Sequence, residues 1–199
     1  MEGFFCMIQT ITIYCASSHK VDPKYFTLAR QVAEVLCDHH IAIRYGGGAV
    51  GLMGKVADTT LEKGGKITGI IPEFMMAVEW NHPKVEEMIV VEDMAERKRL
   101  LMENTDAILV LPGGTGTLEE VTEVLTLKRL GKFTKPIIFM NIDGFYTPLL
   151  NFFDTLIDEK FLRPEHRAMW SECAHPKLLM ETLNNAPDWD GNAIKFAAV

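Results

Sequence analysis

Short apolar runs that stop at glycine or proline constrain this chain more than any other feature. They are Ile11–Cys15, Ile41–Tyr45, Ile67–Ile71, Met88–Val91, Ala107–Leu111 and Pro136–Met140. As a set they are continuously apolar, not alternating, which suits strands buried on both faces of a parallel sheet. The blocks between them have helical spacing: Pro23–Asp38, Val50–Lys63, Asp93–Thr105, Thr117–Leu130, Tyr146–Phe161 and, last, His175–Asn185. In Pro23–Asp38, Phe26, Ala29, Ala33 and Leu36 share one stripe, and Pro23 suits the first turn. Gly64-Gly65 stops the second block. Glu73–Glu86 reads as irregular or a short helix, and the tail from Pro187 is weakly specified. Strand–helix repetition of this kind predicts an α/β fold, a doubly wound parallel sheet with helices on both faces. The chain reads as a single domain over 1–199, with 1–7 a possible extension before an alternative start at Met7. In such sheets ligands bind beyond the carboxyl ends of strands, where the strand order reverses.

The charge balance narrows the ligand. Twenty Lys and Arg against 27 Asp and Glu leave a net charge of −7 over 199 residues. A bulk nucleic-acid binder would carry a basic field, so no nucleic-acid partner is expected, whereas a small anion in a local cationic pocket remains open. No run approaches the roughly 18–20 apolar residues of a membrane span, and no basic segment precedes the apolar start, so neither a membrane partner nor a signal peptide is expected. Cys6, Cys15, Cys37 and Cys173 form no CxxC pair and read as buried thiols of a cytoplasmic protein. His19, His39, His40, His82, His166 and His175 show no metal-ligand spacing, so no metal is expected.

Two glycine-rich strand ends carry the chemistry. Gly46-Gly47-Gly48-Ala49-Val50-Gly51 fits G-x-G-x-x-G between a strand and a helix, where backbone N–H groups can approach a phosphate. The acid that a dinucleotide site wants about 20 residues on would be Glu73, which lies past Pro72, a poor match. A tight turn with close helix–sheet packing accounts for the same glycines.

The second loop, Pro112-Gly113-Gly114-Thr115-Gly116-Thr117, can present several N–H and O–H donors to one phosphate. Glu120 follows it. One reading is a capping box, with Thr117 at the N-cap and Glu120 reaching back. The other places Glu120 beside Val124 and Leu127, at the edge of the apolar face. A partly desolvated carboxylate there is a general base or cation stabiliser.

A third feature is a cationic helix start. Asp93 reads as an N-cap with Glu96 at N3, followed at once by Arg97, Lys98 and Arg99. Cations at a helix N-terminus oppose its dipole. They form either a solvated face paired with Glu96 and Glu103, or a contact to bound phosphate or ribose.

Together, Tyr45–Gly54, Met94–Lys98 and Pro112–Glu120 resemble the LOG ("Lonely Guy") phosphoribohydrolases, long mislabelled as lysine decarboxylases. Gly69-Ile70-Ile71-Pro72 and Lys135-Pro136 also fit, and the likeness runs from about Ile11 to about Phe161. The resemblance implies a Rossmann-like homodimer without a cofactor. It would hydrolyse the N-glycosidic bond of a nucleoside 5′-monophosphate, such as AMP or a cytokinin ribotide, to free base and ribose 5-phosphate. By motif position Arg97 and Glu120 would be the catalytic pair. Lys98, Gly113, Gly114, Thr115, Gly116, Thr117, Glu119 and Thr126 would line the nucleotide site, joined by Gly46, Gly47, Gly48, Ser17 and Glu79. Thr115, Leu127 and Ala16 depart from the common Tyr, Trp and Gly of the family.

Breaking a C1′–N bond builds oxocarbenium character on the ribose. A carboxylate can stabilise that charge, position the 2′ and 3′ hydroxyls or activate water. The alternatives are a nucleotide-binding module without hydrolysis and an NAD(P)-binding protein. A pyridoxal decarboxylase is disfavoured, because no lysine sits in a recognisable Schiff-base setting.

Overall fold

β1 (Thr10–Tyr14) forms the middle of a seven-stranded sheet, paired with β2 (Ala42–Tyr45) on one side and β5 (Ala107–Val110) on the other. The computed structural model describes residues 8–76 and 80–196. β3 (Ile67–Pro72) and β4 (Glu87–Val91) extend the sheet beyond β2, and β6 (Ile137–Met140) and β7 (Ser171–Cys173) extend it beyond β5. The order is β4-β3-β2-β1-β5-β6-β7, and every pairing is parallel. Chain order therefore reverses between β1 and β5, and the carboxyl ends of those two strands are where this fold class binds ligands.

Parallel strands need crossovers, and helices supply them on both faces. α1 (Pro23–Asp38), α2 (Gly51–Glu62) and the late α7 (Leu179–Asn184) pack one face through Leu28, Val32, Leu36, Leu52, Val56 and Leu179. α4 (Met94–Met102), α5 (Thr115–Arg129) and α6 (Thr147–Asp158) pack the other through Leu101, Val121, Val124, Leu150 and Phe153. α3 (Glu73–Met76) is a single turn after β3. β1 shows the division by residue parity: Ile11, Ile13 and Cys15 join the first core and Tyr14 the second. Among the described residues no helix is long and apolar enough to cross a membrane.

The helix starts follow their capping residues. Asp22 accepts a hydrogen bond from the Lys24 N–H and Pro23 opens α1. Asp93 accepts from the Glu96 N–H at 2.8 Å, and the Glu96 carboxylate accepts from the Glu92 N–H at 3.0 Å. At α5 the expected capping box does not form. The N-cap is Gly114, with no side-chain cap, so Thr117 and Glu120 lie inside the helix and Glu120 is free to point elsewhere. Two other regions differ from the sequence reading. β7 has no apolar run, only Ser171-Glu172-Cys173, and exists because β6 offers it an edge. The tail is anchored: Trp189 Nε1 donates to the Lys128 carbonyl, Ala193 is fully buried, and Gly131 (φ +71°) comes so close to the Gly191 carbonyl that a Cβ there would lie 2.3 Å from its oxygen.

Candidate active site

α4 and α5 lie on the same face of the sheet; α4 turns Arg97 inward, and α5 turns in Glu120 near its start and Lys128 near its end. Arg97 shares the buried side of α4 with Leu101, four residues on, and Glu120 shares that of α5 with Val121 and Val124. The two meet over the carboxyl ends of the central strands, Arg97 Nη1 lying 3.4 Å from Glu120 Oε1, with both side chains only 6% exposed.

Arg97 is held by more than its partner. Its Nε donates to the Ile70 carbonyl of β3 at 3.1 Å, and its Nη2 to the Gly46 carbonyl, just past β2, at 3.3 Å. A guanidinium is a rigid fork of five donors, so these bonds fix its plane as well as its position. Gly46 is required by this approach, because a Cβ there would lie 2.1 Å from Nη2.

Among the described residues Glu120 accepts no such set of bonds. Burial pushes its carboxyl up to about 7 against the pull of Arg97, and the neighbouring Glu119 and Glu123 push in the same direction as burial. The other two cations of the α4 start face elsewhere. Lys98 bridges to Glu119 and, at 2.6 Å, to Glu123, tying α4 to α5 at the surface. Arg99 pairs with Glu103 at 2.6 Å and Glu96 at 3.8 Å. The solvated-face reading thus holds for Arg99, and Arg97 is the residue turned into the fold.

The two glycine loops differ in what requires their glycines. In the first, Gly47 has φ +78° and lies against Ile71 and Met88. Gly51 has φ +66° and lies against the backbone of Ser17, where a Cβ would be 2.4 Å from the carbonyl carbon. The Ala49 N–H donates to the Trp80 carbonyl and the His82 N–H to the Gly47 carbonyl, so the segment after α3 straps this loop down. Protein packing accounts for these glycines, as the tight-turn reading expected.

In the second loop nothing lies within 4 Å of a Cβ built on Gly114 or Gly116. Gly114, Thr115 and Gly116 are exposed at the N-terminus of α5, within one to two turns of Glu120. Gly113 differs, its Cβ position being filled by Thr117. The open donors for an anion therefore lie on the second loop. Gly51→Ala is accordingly expected to destabilise the fold by about 2 kcal/mol or more without a specific binding defect. Gly114→Ala should leave stability within about 1 kcal/mol and weaken binding of an anionic ligand. Urea denaturation and calorimetric titration of the two variants separate these effects.

Other residues of the expected site are placed as follows. Ser17 is exposed, and its backbone seats Gly51. Thr126 is exposed, donates its hydroxyl to the Thr122 carbonyl, and is not brought to the pair. Glu79 lies outside the described residues, as does Cys6. Among the described residues no cluster of three or more His, Cys, Asp or Glu could hold a metal ion. Tyr14 and Cys15, at the end of β1, feel the charges of Glu120 and Arg97. Both lie in an apolar run whose only sequence signal is burial, which is why sequence reasoning placed them in the core.

A reversed-order parallel sheet with an open glycine loop at its ligand end defines an α/β protein of the Rossmann type. The solved molybdenum cofactor binding protein of the phototrophic bacterium Rippkaea orientalis shares this fold: TM-score 0.66, 20% identity, covering 87% of this chain and 94% of that one. A family model described as "Possible lysine decarboxylase" matches residues 53–183. Over 173 residues the chain is 39% identical to the probable cytokinin riboside 5′-monophosphate phosphoribohydrolase LOGL2 of Oryza sativa subsp. japonica, covering 87% of this chain and 71% of that protein. It is 37% identical to the cytokinin riboside 5′-monophosphate phosphoribohydrolase LOG5 of Arabidopsis thaliana, covering 92% of this chain and 80% of that protein. The chain belongs to the LOG family.

Proposed function

We propose that this protein is a phosphoribohydrolase that cleaves the N-glycosidic bond of a nucleoside 5′-monophosphate with water, releasing free base and ribose 5-phosphate. The observation that carries this reading is the buried Arg97–Glu120 pair beside an open anion-binding loop at the sheet's ligand end. The relatives' names give the same reaction and point to cytokinin ribotides as substrates. AMP is the simplest nucleotide with the same purine frame.

The parts divide the work. Backbone N–H groups of the 114–117 loop and the N-terminus of α5 hold the 5′-phosphate, so binding energy far from the reacting bond orients the ribose. Glu120 faces the sugar. As a carboxylate it stabilises positive charge developing at C1′, positions the ribose hydroxyls or takes a proton from the attacking water. Water delivers its oxygen to C1′, and the departing base keeps the bonding pair and gains a proton. Arg97 holds Glu120 and assists departure of the base electrostatically. A panel of nucleoside monophosphates assayed for ribose 5-phosphate is expected to show equimolar base and sugar phosphate from at least one purine ribotide. No release from any member overturns the reading. We extend it to a homodimer on the strength of family membership: light scattering should give twice the 22.4 kDa of the chain, and a monomeric mass contradicts this.

A further inference from the structure

The residue at the floor of the site is Tyr14, which ends β1 and pairs in register with Val110 of β5, so it stands where the strand order reverses. Its side chain projects to the face carrying α4 and α5, and its ring packs in the cluster of Ile70, Leu101, Val121 and Val124. The residue is only 2% exposed. Two neighbouring buried hydroxyls have partners: Tyr146 donates to the Leu111 carbonyl at 2.7 Å and Thr12 to the Leu101 carbonyl at 2.6 Å. Among the described residues the Tyr14 hydroxyl has no hydrogen-bond partner. Unlike Tyr45 Oη, its oxygen is not fully enclosed.

We propose that the Tyr14 hydroxyl donates a hydrogen bond to a ribose hydroxyl of the bound nucleotide, making it a third polar residue of the substrate site. The charges around the phenol fit this role. Burial above all, then Glu120, Glu123 and Glu119, keep it a neutral donor against the opposing pull of Arg97. A sugar hydroxyl both accepts and donates, so one placed between the two groups accepts from Tyr14 and donates to Glu120. A relay of this kind fixes the sugar relative to the carboxylate in a poorly hydrated site, where an unmade bond is costly.

The inference rests on the proposed hydrolysis, and the experiment keeps the two apart. Tyr14→Phe preserves the ring and its packing and removes only the donor. The kcat/KM for base release is compared between wild type and variant on a ribonucleotide and on its 2′-deoxy and 3′-deoxy analogues. The expected result is a loss of about tenfold on the ribonucleotide and less than about twofold on one of the deoxy analogues, because that substrate lacks the accepting group. An equal loss on all three substrates, or no loss on any, overturns the proposal. If the wild-type protein releases base from none of them, it is the hydrolase reading that fails. Unfolding measured in parallel should leave the two proteins within about twofold in their equilibrium constant.

Discussion

Glu120→Gln is expected to lower kcat for base release by about 10³-fold while changing the dissociation constant for AMP by less than about threefold. The amide keeps the shape of the side chain but can neither take a proton nor offer full negative charge to C1′. The phosphate is held elsewhere, by the 114–117 loop, so affinity survives. A pure binding module would show no such split.

The same substitution carries a stability effect of known sign. The folded carboxyl titrates at about 7 against an ordinary 4.5. Its contribution to stability is therefore fully present below about pH 4.5 and is lost as the pH rises through about 7. At 1.36 kcal/mol per pKa unit the charged carboxylate costs up to about 3 kcal/mol at pH 8. Glutamine never ionises, so the variant should gain roughly 1–3 kcal/mol over wild type at pH 8, and the gain should shrink toward pH 5. Part of the gain is offset because Arg97 loses its carboxylate partner. Urea denaturation at the two pH values reads the difference, and a variant whose relative stability falls between pH 5 and pH 8 contradicts the burial argument. The enzyme thus keeps a destabilising acid at its site.

Arg97→Gln is the second large effect. Arg97 is the main group holding the Glu120 carboxyl down, so its removal lets that carboxyl rise above about 7. Because the working form is the carboxylate, wild-type kcat/KM should climb through about pH 7 to a plateau. In the variant that limb should move up by about one pH unit, with the plateau lowered about 10²-fold. The carbonyls of Ile70 and Gly46 also lose their donors, at a cost of about 2–4 kcal/mol in stability. Arg97→Lys should recover little, since one ammonium cannot serve acceptors on β3, on the β2 loop and on α5 together. An unmoved acid limb in Arg97→Gln would show that the two groups are not coupled.

The sheet was legible because its inner strands β1, β3, β5 and β6 are buried almost throughout and so read as short apolar runs. β7 was not, since an edge strand of three residues is specified by its neighbour, not by its own composition. The cation cluster at 97–99 drew attention because it opposes the helix dipole, but a run of charges does not say which one turns inward. The fold decides that: position 97 falls on the side of α4 that carries Leu101. Glu120 was readable as lying at the edge of the apolar face of α5, whereas the start of that helix was not, because Gly114 caps it three residues before the expected Thr117. A glycine pattern also cannot tell why each glycine is needed. Of the two glycine loops, the first uses Gly47 and Gly51 for packing, whereas Gly114 and Gly116 of the second have open space around them.

The central claim is that water attacks C1′ of a nucleotide held between the Arg97–Glu120 pair and the 114–117 loop. Incubating the protein with AMP in heavy-oxygen water and analysing the sugar phosphate by mass spectrometry tests it. The account predicts one heavy oxygen on C1′ of ribose 5-phosphate with adenine released in equal amount. Label in free phosphate, or adenine left joined to its sugar, would contradict it.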